Sequence, residues 1–88
     1  MVRDNTALNR FELEVDGKIV FATYRRQDGT LAIPHVEAPP SLRGTGAAGR
    51  LMQGVMELAR AENLKVRPIC SYASLWVRRH KEFHDLLA

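Results

Sequence analysis

The stretch that decides the fold is Ser41-Leu42-Arg43-Gly44-Thr45-Gly46-Ala47-Ala48-Gly49, in which every residue from Gly44 onward is small. A backbone without bulky side chains allows several N–H groups to converge on one anion. A helical pattern follows directly, and the positive end of a helix dipole favours the same anion. The stretch therefore predicts a nest for a phosphate group, with a tight turn and close helix packing as the plain alternative.

Two better-known phosphate loops do not fit this stretch. A P-loop ends in Gly-Lys-Ser/Thr, whereas this one ends in Gly49-Arg50-Leu51. A Rossmann loop belongs to a doubly wound parallel sheet, and the residues before the loop have an antiparallel pattern instead. The loop is thus predicted to serve a different architecture.

The chain before the loop predicts an antiparallel meander. Apolar and acidic residues alternate over residues 11–15, which is the period-two pattern of a half-buried strand. Asp16-Gly17 predicts a type I′ hairpin into a second strand over residues 18–25, because both central positions of that turn need positive φ. The turn at 27–29 then leads to a third strand over residues 31–38, and residues 1–9 are expected to be a polar lead-in.

After the loop, the pattern changes to helix, short strand and helix. Apolar residues at helical spacing from Leu51 to Ala59 predict a helix that closes at Glu62-Asn63. A short strand over residues 65–70 follows, then a helix with Ser71 as N-cap and a short amphipathic tail. The chain is therefore predicted to be one α+β domain over residues 1–88, a mostly antiparallel sheet with a β-α-β-α C-terminal half.

Two prolines predict irregular strands on either side of that helix. Pro34 lies in the third strand and Pro68 in the fourth. Because proline cannot donate a hydrogen bond to the ladder, we expect an edge, a bulge or a splay at these positions.

Composition narrows the class of protein. The net charge is +3, with 45% hydrophobic and 26% charged residues, and the single cysteine, Cys70, excludes an intramolecular disulfide. No apolar run is long enough to span a bilayer and no leader pattern is present, so a cytoplasmic location is expected. The basic residues occur as scattered pairs without interleaved aromatics, which argues against nucleic acid as the partner.

Three blocks of sequence resemble a known family. Residues 43–48 match the Arg/Gln-x-x-Gly-x-Gly/Ala signature of the GNAT acetyltransferase superfamily. The wider blocks at 35–46, 66–72 and 78–80, in the same order, resemble its compact branch, the small YjdJ-type or NATD-like N-acetyltransferases. The resemblance covers most of the chain and implies a minimal GNAT-like fold with a splayed sheet.

The resemblance also implies acetyl-CoA or CoA as the cofactor. The backbone of the third strand would pair with the pantetheine arm, and the loop amides would hold the pyrophosphate. Tyr72 would line the arm, while Arg78 and Arg79 would reach the 3′-phosphate or adenine, unless they only complement the helix dipole. The implied cofactor-binding residues are Val36, Ala38, Leu42, Arg43, Gly44, Thr45, Gly46, Ala47, Ala48, Gly49, Tyr72, Arg78 and Arg79.

The candidate catalytic residues are His35, Glu37 and Cys70. His35 and Glu37 share one face of the third strand, and the resemblance implies that His35 and Cys70 form the active-site pair, as base and nucleophile or as groups flanking the thioester. The alternatives are a surface histidine, a solvated glutamate and a buried small cysteine. Trp76 has helical spacing and is expected in the core.

The function predicted from this resemblance is acetyl-CoA-dependent N-acetyl transfer to a lysine, an N-terminal amine or a small amine. The chain lacks the N-terminal strand and two helices that normally shape the acceptor site of the superfamily. A non-catalytic module that binds acetyl-CoA or CoA is therefore the alternative. No nucleic acid, membrane or metal partner is expected, and the chain is expected to be a monomer or weak dimer.

Overall fold

Five strands and four helical segments follow one another along residues 1–88 of the computed structural model. They are β1 (Arg3–Asn5), β2 (Arg10–Val15), β3 (Lys18–Gln27), β4 (Thr30–Glu37), a 3₁₀ turn (Pro40–Leu42), α1 (Ala47–Ala61), β5 (Lys65–Pro68), α2 (Ser71–Arg79) and a C-terminal 3₁₀ segment (Lys81–Leu86). The strands pair in sequence order, antiparallel except for the parallel pair β4–β5. The predicted α+β meander followed by a β-α-β unit is confirmed.

The core lies between the sheet and the two α-helices, on one face of the sheet. Along the strands, the residues that point toward the helices are buried, including Phe11 on β2 and Val20 on β3. Their side chains belong to the same core as Met52 and Met56 of α1. Trp76 is buried on α2, as predicted. The opposite face carries no helix and is called the helix-free face below.

Three details differ from the sequence predictions. The polar lead-in contains a short strand, β1, whose three residues are too few for a periodic signal. Helix α1 begins at Ala47, so the last residues of the glycine-rich stretch form its first turn. Ser71 is the first helical residue rather than the N-cap, a position held by Cys70 without a side-chain hydrogen bond.

A β-bulge in β4 accommodates Pro34. Thr23 of β3 pairs with His35 and Arg25 pairs with Ala32, so one residue of β3 opposes two of β4. Such a bulge tolerates a residue that cannot donate a ladder hydrogen bond. The extra residue also reverses which residues of β4 face the core. Ile33, before it, points into the core, whereas His35 and Glu37, after it, lie on the helix-free face.

Strands β4 and β5 separate immediately after Ile33. The carbonyl of Ile33 accepts hydrogen bonds from the amides of both Ile69 and Cys70, each at 3.0 Å. Beyond this point β5 turns into α2, whereas β4 continues to Glu37. The predicted splay is present, and it leaves the last residues of β4 with one open edge.

No helix of the chain is both long enough and apolar enough to cross a membrane.

A buried carboxylate on the helix-free face, that of Glu12 on β2, holds β1 against β2. Glu12 is 4% exposed and accepts hydrogen bonds from Arg3 Nη2 at 2.8 Å, Arg10 Nε at 2.6 Å and Asn5 Nδ2 at 3.0 Å. The hydrogen bond from Arg3, followed by those from Arg10 and Asn5, lowers the pKa of Glu12 from 4.5 to about 2. Ionised Glu12 therefore stabilises the folded state.

We expect this stabilisation to disappear in acid. Because the folded-state pKa is below the unfolded one, the contribution is complete above about pH 4.5 and is lost as the pH falls toward about 2. Glu12→Gln should lower the free energy of unfolding by about 2 kcal/mol at pH 7 and flatten its pH dependence in this window. Urea unfolding at several pH values measures both effects.

Glu14 provides the matched control, because it lies on the same strand and face, is exposed, and makes no ion pair or side-chain hydrogen bond. Glu14→Gln should leave the pH profile close to that of the unsubstituted protein. Identical acid profiles for both variants would show that Glu12 is not the group responsible.

Candidate functional site

A cleft opens where β4 leaves β5, and we call it the loop cleft. Its volume is about 530 Å³, and it extends from the first turn of α1 to the end of β4. The lining residues are His35, Val36, Glu37, Ala38, Leu42, Arg43, Gly44, Gly46, Ala48, Gly49 and Tyr72. Because these include residues of both sheet faces, the splay connects the helix side of the sheet to the helix-free face.

The backbone amides of the loop divide into two sets. Those of Thr45, Ala47 and Arg50 are used internally, donating to the Leu42 carbonyl, the Thr45 hydroxyl and the Gly46 carbonyl. The amides of Gly44, Gly46, Ala48 and Gly49 have no hydrogen-bond partner within the protein. All four of these residues line the loop cleft, so the unpaired donors are collected at one place.

Backbone conformation explains two of the glycines. Gly44 has φ of +78° and Gly46, the N-cap of α1, has φ of +87°. A Cβ at either position would meet nothing within 4 Å, so the glycines are required by backbone angle rather than by space. The Thr45 hydroxyl between them donates to the Leu42 carbonyl at 2.6 Å and fixes the loop.

The electrostatics of the loop favour an anion. Helix α1 runs from Ala47 to Ala61 and has no acidic residue in its first turn. Its N-terminal partial charge is about +0.5, and no carboxylate of that turn competes for it. Together with the four unpaired amides, this gives that end of the loop cleft donors and a positive potential of the kind that suits phosphate oxygens.

The open edge of β4 supplies further backbone groups. The amide of Tyr24 donates to the carbonyl of Asn9, which immediately precedes β2. By alternation Thr23 directs its own backbone toward β4, where it pairs with His35. The alternation continues to Glu37. Val36, between these two, therefore points its N–H and C=O toward the side that β5 has left, where an extended amide ligand can pair with it.

His35 and Glu37 form a hydrogen-bonded pair at the other end of the loop cleft. His35 Nε2 lies 3.0 Å from Glu37 Oε1, and each side chain is 54% exposed. An ionised carboxylate only accepts, so Nε2 donates in this hydrogen bond, and the lone pair of a neutral imidazole in this pair would be on Nδ1. Such an imidazole, on the helix-free face, can accept a proton at Nδ1.

Tyr72 and Trp76 stand on one side of α2 against Gly49. A Cβ added to Gly49 would lie 3.4 Å from Trp76 Nε1 and 3.8 Å from the Tyr72 hydroxyl. Burial, and then the nearby Cys70, raises the pKa of Tyr72, so the phenol keeps its proton at neutral pH. The sequence assigned Trp76 to the core alone, and nothing in its spacing indicates that its N–H faces the first turn of α1.

The remaining predicted site residues lie outside the loop cleft. Cys70 is half-buried at the start of α2 and packs against the core, whereas His35 lines the cleft. Ala47 is buried beneath the loop. Arg78 and Arg79 are in the last turn of α2, about 10 Å along the helix axis from Tyr72 at the usual rise per residue. Thr45 does not line the cleft either, since its hydroxyl is bonded to the Leu42 carbonyl within the loop. The prediction placed all five near the ligand.

The arrangement suits an elongated ligand with an anionic end. Phosphate oxygens fit the loop amides, an amide arm fits the edge of β4, and a reacting group would emerge beside His35 and Glu37. The site residues come from a loop, a strand edge and a helix, and the splay brings them together.

Comparisons with known proteins agree with this geometry. A family model described as GCN5-related N-acetyl-transferase matches residues 10–86. The NMR solution structure of a GCN5-like protein from Staphylococcus aureus, proposed to be an N-acetyltransferase, is similar with a TM-score of 0.71. The two sequences are 25% identical, and the match covers 100% of this chain and 87% of that one. No curated protein matches the sequence significantly.

Proposed function

Because the chain belongs to the GCN5-related N-acetyltransferase family, we propose that it is an enzyme that transfers an acetyl group from acetyl-CoA to an amine. The observation that carries the proposal is the set of four unpaired amides, of Gly44, Gly46, Ala48 and Gly49, that face one cleft beside an open strand edge. A pyrophosphate and an amide-containing arm are the two parts of CoA that such a site would hold.

In this proposal the chain's own residues bind, orient and move protons. Bound acetyl-CoA supplies the acetyl group as a thioester, which an amine attacks to give an amide and a thiol. The loop amides hold the pyrophosphate and the backbone of Val36 pairs with the pantetheine arm. His35 takes a proton from the attacking amine through Nδ1, and Glu37 holds the imidazole ring in place.

Tyr72, at the opposite wall of the loop cleft, is the proposed donor of the proton that the departing thiolate takes up to become the thiol. Its hydroxyl makes no hydrogen bond within the protein and its raised pKa keeps it protonated. Cys70 is beside Tyr72 rather than in the cleft, which favours direct attack over an acetyl-cysteine route. Mass spectrometry after incubation with acetyl-CoA tests this choice, because a stable acetyl adduct that is lost in Cys70→Ala would establish the covalent route.

Calorimetric titration with CoA and acetyl-CoA tests the proposed function itself. We expect dissociation constants between about 1 µM and 1 mM, the usual range for enzyme substrates. A panel of amines, with release of the CoA thiol as the readout, then measures transfer. Failure to bind either ligand at millimolar concentration would contradict the proposal.

A module that binds acetyl-CoA without turnover is the second candidate. The observation that favours it is the exposure of His35 and Glu37, since no element of the chain covers the side from which an acceptor would approach. Binding of CoA without thiol release from any amine in the panel would support this candidate.

We further propose that residues 1–88 work as a single domain, as a monomer or weak dimer, and that the free Cys70 reflects a cytoplasmic location.

A further inference from the structure

A second cleft lies on the helix-free face, about 7 Å along the sheet from His35 at the usual rise of two strand residues. We call it the arginine cleft, and its volume is about 420 Å³. Arg25 of β3, Ala32 of β4 and Arg67 of β5 are paired in register, so they form one row across three strands. Both arginines thus flank the small side chain of Ala32.

The two guanidinium groups have no partner within the protein. Arg26, next to Arg25 in the sequence, binds Asp4 and Glu62, whereas Arg25 forms no ion pair or side-chain hydrogen bond. Arg67 likewise has none. The one carboxylate that lines the arginine cleft, that of Asp28, is not in an ion pair with either residue. With two arginines and one aspartate in its lining, the arginine cleft has a net charge of +1.

The floor and rim of the arginine cleft fit a small anionic group. Ala32 leaves space above the middle strand, while Gln27 and Thr30 add polar side chains on the same face. Guanidinium groups bind carboxylate and phosphate oxygens through paired hydrogen bonds, and two of them line this cleft. Because the arginine cleft is concave, a bound anion would be partly shielded from solvent.

The position of this row relative to His35 sets the distance between the reacting amine and the anionic group of an acceptor. Thr23, opposite His35, and Arg25 are two residues apart on one strand and point to the same face. An amine beside His35 and an anion between the arginines would be about 7–10 Å apart, the distance covered by two or three extended residues. A range is given because the arginine side chains can extend to either side along the sheet.

We infer that the amine acceptor carries a carboxylate or phosphate group two to three residues' length from the reacting amine, and that Arg25 and Arg67 bind this group. The inference rests on the proposed function, because it places the amine at His35. It narrows the acceptor from amines in general to acidic amines or acidic N-terminal segments.

The test compares three tripeptide amides with free N-termini, Ala-Ala-Glu, Ala-Ala-Gln and Ala-Ala-phosphoserine, in the presence of saturating CoA. NMR titration that follows the arginine Nε–Hε signals gives dissociation constants without requiring turnover. We expect the glutamate peptide to bind about tenfold more tightly than the glutamine peptide, as a charge-assisted pair predicts. The phosphoserine peptide distinguishes a phosphate from a carboxylate as the preferred group.

Arg25→Gln and Arg67→Gln should each reduce the preference for glutamate to about threefold, and the double variant should remove it. Lys81→Gln makes the same charge change on an exposed residue that lines neither cleft, and should leave the preference unchanged. Equal affinity for all three peptides, or equal loss in the Lys81 variant, would overturn the inference. CoA-induced shifts of the loop amides report cofactor binding separately, so failure of the proposed function would be recognised by itself.

Discussion

Replacing Gly49 by leucine is expected to raise the dissociation constant of CoA at least about 100-fold, a loss of about 2.7 kcal/mol. Gly49 lines the loop cleft, and its unpaired amide is one of the four donors. The wall facing it is formed by Trp76 Nε1 and the Tyr72 hydroxyl, 3.4 Å and 3.8 Å from the position of an added Cβ. A leucine cannot extend toward that wall, so its side chain must occupy the space of the ligand. Calorimetric titration measures the effect.

Gly49→Ala is the matched control for this variant. A single methyl group makes only ordinary contacts at these distances, and the residue is helical, so alanine should raise helix stability by up to about 1 kcal/mol. CoA affinity should fall by less than about fivefold, because the cleft remains open. Equal affinities of the leucine and alanine variants would show that the anion binds elsewhere. Thermal unfolding of both variants separates a blocked cleft from a damaged fold.

His35→Gln is expected to lower kcat for acetyl transfer about 100-fold while leaving the affinity for CoA unchanged, as removal of a general base does. The ring lies on the helix-free face, away from the loop amides. Because Nε2 donates its hydrogen bond to Glu37, the Nδ1 lone pair of the neutral ring is free to accept a proton. Glutamine keeps the size and a hydrogen bond to Glu37 but cannot take up a proton. Steady-state kinetics with the best amine of the panel gives kcat, and calorimetry gives the affinity.

Glu37→Gln separates proton transfer from positioning of the ring. The amide can still hold Nε2 through its oxygen, so we expect a smaller loss of about tenfold in kcat. A rise in the KM for acetyl-CoA with unchanged kcat in either variant would assign the pair to cofactor binding instead. If Cys70→Ala abolished transfer while His35→Gln did not, the proposed division of roles would be wrong.

Much of the fold followed from local rules in the sequence. Asp16-Gly17 predicted its hairpin, and both residues have positive φ, at +50° and +76°. The predicted end of the first helix is also confirmed, with Asn63 in the left-handed region at φ +58°. Pro34 predicted irregularity in β4 without deciding between an edge, a bulge and a splay. Each of these features depends on a few neighbouring residues, which is why sequence patterns capture them.

What the sequence did not predict depends on long-range pairing. Strand β1 exists because Glu12 holds Arg3 and Asn5, contacts that no periodicity encodes. Leu58 has the spacing of a core residue but is half-buried, while Met52 and Met56 are fully buried because the sheet meets α1 on a slightly rotated face. The separation of Cys70 from the loop cleft and the row of Arg25 with Arg67 likewise follow from register across strands, which is not contained in any single segment.

Because of the bulge at Ile33-Pro34, odd-numbered residues lie on opposite faces of the sheet in the two halves of β4. In the first half odd-numbered residues such as Leu31 belong to the core, and in the second half odd-numbered residues such as His35 and Glu37 belong to the helix-free face. Loss of a single residue at this point would exchange inside and outside for everything that follows on the strand. Chain length between Ile33 and His35 is therefore as tightly constrained as residue identity, and natural insertions or deletions should be excluded from this one position even where substitutions are tolerated.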